Sequence, residues 1–145
     1  MELLTDNELN WLTRNHPGLT YIPSARMIVG KFRVNAKYRE LAEITDDYEV
    51  LIRLNHCNSF PTVYEIAGKI RRMAKTINQP MSEFHVNFDG SLCLIRPDKM
   101  KYYYFKGLDI KYFMKHLIKL KITMKHYLKK FMTCFKLLIL LTKPT

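Results

Sequence analysis

Residues 26–54, RMIVGKFRVNAKYRELAEITDDYEVLIRL, decide the fold. Between Arg26 and Val34, Ile28, Phe32 and Val34 fall on one side of an extended chain and Lys31 and Arg33 on the other. Successive side chains of a strand point to opposite faces, so this alternation predicts a half-buried strand. Tyr48 to Leu54 repeats it, with Tyr48, Val50, Ile52 and Leu54 inward and Glu49 and Arg53 outward. Asp46-Asp47 between the two predicts a turn. Phe60-Pro61 then opens a third short strand over Thr62 to Ile66. Strands in quick succession with no helix between them predict an antiparallel meander of three or four strands.

Helices flank this sheet on both sides in sequence. Thr5-Asp6-Asn7-Glu8 is a capping box, with Leu3 or Leu4 as its hydrophobic staple. It predicts a helix from about Asp6 to Arg14 that buries Leu9 and Leu12 and stops at His16-Pro17-Gly18. Gly68 to Pro80 is basic, and Ile70, Met73 and Ile77 mark a short helix that Asn78-Gln79-Pro80 ends. Further on, Phe113, Leu117, Leu120, Met124, Leu128, Phe131, Phe135 and Leu138 recur every three or four residues. Lys111, Lys115, Lys119, Lys125, Lys129 and Lys130 surround that stripe. It forms one helix or two. The order predicts an α+β domain spanning residues 1–145, with a Lys-rich helical C-terminal part from about residue 108.

Composition limits the function classes. At 48% hydrophobic residues the chain can bury a core, which excludes global disorder. The N-terminus lacks the basic and apolar regions of a signal peptide. The longest uncharged apolar run of the C-terminal part, Leu137 to Thr142, is far below the roughly 20 residues of a membrane span. Three cysteines (Cys57, Cys93 and Cys134) form no pairing pattern and no CxxC spacing. This argues against a disulfide framework and a structural zinc site, and for free thiols in a reducing cytoplasm. No cofactor or metal site is expected.

The net charge of +11 is unevenly placed. Residues 1–98 carry 12 Lys+Arg and 12 Asp+Glu, whereas residues 99–145 carry 12 lysines, no arginine and a single acid, Asp109. The tail lacks the arginines, Gly-rich loops and spaced stacking aromatics of a nucleic-acid site. Its first reading is a solvated helix face, with no specific nucleic acid as partner. Attraction to an acidic partner or to anionic lipid is the second.

His85, Asn87, Asp89 and Cys93 fall within nine residues. A cysteine nucleophile needs an exposed thiol that can reach the thiolate state. Acyl transfer is also helped by a donor aimed at the developing oxyanion. An asparagine amide supplies one without titrating, and the Asp89-Gly90 turn can fold Asn87 back towards Cys93. Taken alone, a cysteine between Leu92 and Leu94 is commonly just a small core hydrophobe.

The stretch HVNFDGSLCL, however, resembles the active-site signature of ubiquitin-conjugating enzymes. There a His-Pro-Asn tripeptide precedes Gly-Ser/Thr-hydrophobic-Cys-Leu. His85 and Asn87 match two of the tripeptide positions, and Gly90 to Leu94 match the nucleophile segment. The resemblance spans about Thr5 to Pro97. Within the family it is most similar to the bacterial conjugating-enzyme-like proteins of cyclic-oligonucleotide (CBASS) antiphage operons. Val86 stands where the tripeptide has proline, and the spacing from Asn87 to Cys93 is about two residues shorter than in eukaryotic members.

The resemblance implies a ubiquitin-conjugating-like fold and a transferase that carries an acyl group on Cys93 and passes it to an amine. Asn87 would stabilise the oxyanion or order the loop, and His85 would be structural or a base. It further implies a protein substrate, such as the operon's cGAS-like nucleotidyltransferase, with or without a separate activating enzyme. Two other classes stand beside it: a non-catalytic interaction module of the same fold, and a basic nucleic-acid or membrane-surface binder.

Overall fold

The computed structural model describes residues 4–37, 39, 43–54, 61–94, 110–117 and 120–130. Cys57, Cys134 and the stripe positions from Phe131 onward lie outside the described residues, as do Leu3 and Phe60.

Four strands form one antiparallel meander in the order β1 (Leu19–Ile22), β2 (Met27–Ala36), β3 (Ile44–Arg53) and β4 (Thr62–Glu65). The β2–β3 ladder runs from Met27 opposite Arg53 to Ala36 opposite Ile44. This register places Ile28 against Ile52 and Phe32 against Tyr48 on the inner face. Ile28, Tyr48, Val50 and Ile52 have no exposed surface, while Lys31, Arg33, Glu49 and Arg53 are exposed. The alternation thus gives the faces expected of it.

The expected turn at Asp46-Asp47 is corrected, because both residues lie inside β3. Asp47 pairs with Arg33 across the ladder, and Arg33 Nε donates to Asp47 Oδ1 at 2.9 Å. Lys69 Nζ donates to Asp46 Oδ1 at 2.5 Å. Opposed cations let two carboxylates occupy a strand, and the change of direction falls earlier, between Ala36 at the end of β2 and Ile44 at the start of β3. β1 was not expected as a strand: it has four residues, hemmed in by Pro17-Gly18 and Pro23. Its close approach to β2 is made by glycines. Gly30 has φ +137°, and a Cβ there would overlap the Gly18 carbonyl oxygen.

The N-terminal helix α1 (Asp6–Asn15) has both halves of the capping box, with Thr5 Oγ1 accepting from Glu8 N at 3.2 Å and Glu8 Oε1 accepting from Thr5 N at 3.2 Å. Leu4 and Leu12 are buried and Leu9 is half-buried. α2 (Lys69–Thr76) begins at Gly68, which offers no side-chain cap. Glu65 replaces one, accepting from Ala67 N and Ile70 N at 2.7 Å each. α3 (Ile110–Leu117) and helical residues 120–130 bury Phe113, Leu117, Leu120 and Met124 as the stripe requires.

Leu4, Leu12, Phe113, Leu117, Leu120 and Met124 join the inner sheet face in one core cluster. Each large apolar side chain removed from water there contributes about 1.5–3 kcal/mol. Among the described residues, Tyr48 is the one phenol fully inside it. Burial pushes its ionisation well above the usual range, and its hydroxyl meets Met73 Sδ at 3.8 Å. The described chain is therefore α+β, with a four-stranded antiparallel sheet and helices at both ends. No helix among the described residues is long and apolar enough to cross a membrane.

Candidate functional site

After α2, Pro80 opens a short 3₁₀ turn, Met81–Phe84, that ends at His85 in the left-handed conformation (φ 58°, ψ 39°). The chain then runs out and back as a hairpin. Cys93 N donates to His85 O at 2.7 Å, Val86 pairs with Leu92, and Asn87 N donates to Ser91 O at 2.8 Å. Gly90 N donates to Asn87 O at 2.9 Å, and Gly90 has φ +91°. A type I turn followed by a glycine in positive φ is the three-residue hairpin loop with a bulge, which Asp-Gly favours.

Both ends of the hairpin are anchored. Phe84 and Leu94 are buried in the core. The returning strand docks on β4: Ser91 pairs with Tyr64, and Leu92 N donates to Val63 O at 2.8 Å. Cys93 therefore lies outside the four regular strands, after β4, and is half-buried.

The hairpin sets His85 opposite Cys93 and Asn87 opposite Ser91, two residues nearer the turn. His85 stands opposite Cys93 through its main chain, and its side chain is exposed. Asn87 Nδ2 donates to Ser91 Oγ at 3.1 Å; Ser91 Oγ in turn donates to Asp89 Oδ1 at 2.6 Å, and Ser91 N donates to the same oxygen at 2.9 Å. These bonds hold the Asp89 carboxyl below its usual range. One amide N–H of Asn87 is thus engaged in ordering the loop rather than aimed at the thiol, and the second remains for other use.

One further group, without a signal in the local sequence, belongs to the same neighbourhood. His126, on helical residues 120–130, stacks edge-on against Phe84 with ring centroids 5.2 Å apart. Its Nε2 is buried without a hydrogen-bond partner among the described residues. Burial, then the Lys130 charge, lowers its pKa; Glu83 opposes this, and His85 and Lys129 add to it. No local motif could have signalled His126, which the fold delivers from more than thirty residues away. Among the described residues, no group of three or more His, Cys, Asp or Glu side chains could hold a metal ion.

A groove of about 920 Å³ lies between the hairpin and the outer face of β3 and β4. Val86, Asn87, Phe88 and Leu92 line it from the hairpin side, but His85 and Cys93 do not. Alternation along the hairpin explains this, since 86 and 92 face away from 85 and 93. Among protein-family models, curated proteins and solved structures, none matches this chain.

Proposed function

We propose that the protein is a thioester-forming acyl carrier of ubiquitin-conjugating type, with Cys93 as its nucleophile. The observation that carries this reading is the hairpin. It holds the residues of the HxN…GSLCL stretch in one rigid unit, with a half-buried cysteine outside the sheet and its main chain locked to His85. The architecture, an N-terminal helix before a meander with the cysteine loop after β4, supports the same fold type.

In this reaction the Cys93 thiolate attacks an activated acyl carbon, the donor's leaving group departs, and a thioester forms. An amine then attacks that thioester, an amide forms, and the thiolate is released while the amine's proton passes to solvent. Asn87 keeps the loop in shape through Ser91, and its second N–H is the donor available to the oxyanion. His85 supplies the carbonyl that pins Cys93. The setting we infer is bacterial antiphage defence in the cytoplasm. An activating enzyme would load the carrier, and a protein such as a cGAS-like nucleotidyltransferase would be the client.

The test uses a peptide α-thioester as donor, in parallel with a cognate donor and activating enzyme. Wild-type protein should form an adduct that reducing agent cleaves. Cys93→Ala should abolish it, while Cys57→Ala and Cys134→Ala should not. Absence of a Cys93-dependent adduct with either donor would leave the interaction-module reading, which the groove beside the hairpin favours.

A further inference from the structure

The groove between the hairpin and the sheet has a composition that its position does not require. On the sheet side, Leu51 and Tyr64 stand opposite each other in the β3–β4 ladder, on the face turned away from the core. On the hairpin side stand Val86 and Leu92, each half-buried, packed in part against the core and lining the groove with the rest. At the tip is Phe88, fully exposed, and at the near edge is Ile66, more than half exposed. A phenylalanine in the middle of a tight turn buries nothing of its own fold. The hairpin that presents it is cross-bonded and anchored in the core by Phe84 and Leu94, so little conformational entropy would be lost on contact.

The charges in the groove are one-sided. Arg53 and Arg71 line it, and neither makes an ion pair among the described residues. Arg53 rests over the Tyr64 ring at 5.8 Å. The single acid in the lining, Glu65, spends both carboxylate oxygens on Ala67 N and Ile70 N at the start of α2. The groove thus offers aliphatic and aromatic walls with two uncommitted guanidinium groups, which bind carboxylates in bidentate fashion.

We propose that this groove docks an extended acidic peptide segment of a partner protein, with an aliphatic side chain against Leu51, Val86 and Leu92 and a carboxylate on Arg53 or Arg71. A second copy fits the groove poorly, because its cations call for a carboxylate and the chain carries 24 Lys+Arg against 13 Asp+Glu. The Lys-rich tail cannot supply it, since residues 99–145 contain one acid against 12 lysines. A polynucleotide suits it less, because the aliphatic walls offer phosphates nothing. The groove includes Asn87 but not Cys93, and this inference stands whether or not Cys93 carries an acyl group.

The test is amide chemical-shift mapping on the full chain with a ten-residue peptide of alternating leucine and glutamate. A leucine–lysine peptide of the same length and labelled oligo-dT serve as competitors. Shifts should cluster on residues 51–53, 64–66 and 86–92 with the acidic peptide only. Arg53→Glu with Arg71→Glu should weaken binding about tenfold at low salt. Phe88→Ser, at a fully exposed position that cannot unfold the core, should weaken it severalfold. Cys93→Ala should bind as wild type. Shifts confined to the lysine face, equal binding of both peptides, charge reversal without effect, or oligo-dT displacing the peptide from these residues would overturn the proposal.

Discussion

Gly90 and Gly30 both have positive φ, yet replacing each by alanine should produce losses of different size and place. At Gly90 (φ +91°) a Cβ would meet nothing within 4 Å, so the penalty is backbone strain alone. A non-glycine residue in left-handed space costs about 1–2 kcal/mol. For a chain of this size that is a fall in Tm of about 3–6 °C if the hairpin unfolds with the rest. At Gly30 (φ +137°) a Cβ would overlap the Gly18 carbonyl oxygen and crowd Gly18 C at 3.1 Å and Leu19 Cα at 3.2 Å. These atoms are backbone, so no rotamer change relieves the contact. β1 must move, and the Lys31 N to Gly18 O bond of 3.0 Å is lost with it. We expect about 3 kcal/mol or more. Hydrogen exchange then separates the two variants. Gly90→Ala should deprotect Asn87, Leu92 and Cys93 amides and spare β1, whereas Gly30→Ala should deprotect β1 and the start of β2. Gly90→Asn, whose side chain bonds locally in left-handed conformations, should recover part of the loss. Equal loss in Gly90→Ala and Gly30→Ala, or a Gly90→Ala variant with unchanged exchange at Cys93, would refute the hairpin geometry argued above.

Asn87→Ala should slow transfer from the thioester to an amine by about tenfold, below the 10²–10³ of a fully acting oxyanion donor, and slow charging less. Ser91→Ala should reproduce that loss if Asn87 works by ordering the loop; single-turnover rates for both steps decide. Replacing Lys111, Lys115, Lys119 and Lys125 by glutamine should leave Cys93 charging unchanged on a non-reducing gel; a loss as large as that of Cys93→Ala would make the tail part of the site. Burial lowers the pKa of His16 and, with the Lys130, His85 and Lys129 charges adding and Glu83 opposing, of His126, each from the usual 6.5. The folded state therefore binds fewer protons, so stability is full above about pH 6.5 and falls as pH drops below it. Melting curves between pH 8 and 5 should show this fall, and a His16→Phe, His126→Phe double variant should flatten it.

The faces of β2 and β3 were legible because period-two alternation reports burial directly: Ile28, Phe32 and Val34 are inside where the pattern put them. The ends of those strands were not. Asp46 and Asp47 read as a turn because carboxylates disfavour strands, and the opposing cations Arg33 and Lys69 come from 14 and 23 residues away. Leu19–Ile22 escaped notice because four residues give too few alternations to outweigh flanking prolines. At the site, Asp89-Gly90 announced its turn through local backbone chemistry. The partner that turn gives Asn87 depends on which strand residue faces it, and a bulge shifts that by one. Ser91 therefore takes the amide. His126 and the Arg53–Arg71 pair left no local trace, since only tertiary packing makes them neighbours of the hairpin.

Val86 carries the most informative departure from the conjugating-enzyme signature, and its geometry bears on how the loop can be short. Proline in that position would fix φ but could donate no hydrogen bond. Val86 N instead donates to Met81 O at 3.4 Å, and its backbone pairs with Leu92 across the hairpin. The restraint that proline supplies through its ring is supplied here by the 3₁₀ turn behind and the returning strand in front. A tight three-residue loop is compatible with that arrangement, because both strands of the hairpin are held from their own ends by Phe84 and Leu94 in the core. The same closure divides the hairpin into two working faces. His85 and Cys93 lie on one, where acyl chemistry is proposed, and Val86 and Leu92 on the other, where peptide docking is proposed. A change that loosens the loop, such as Gly90→Ala, should therefore impair both. A change confined to one face, Cys93→Ala or Arg53→Glu, should impair only one.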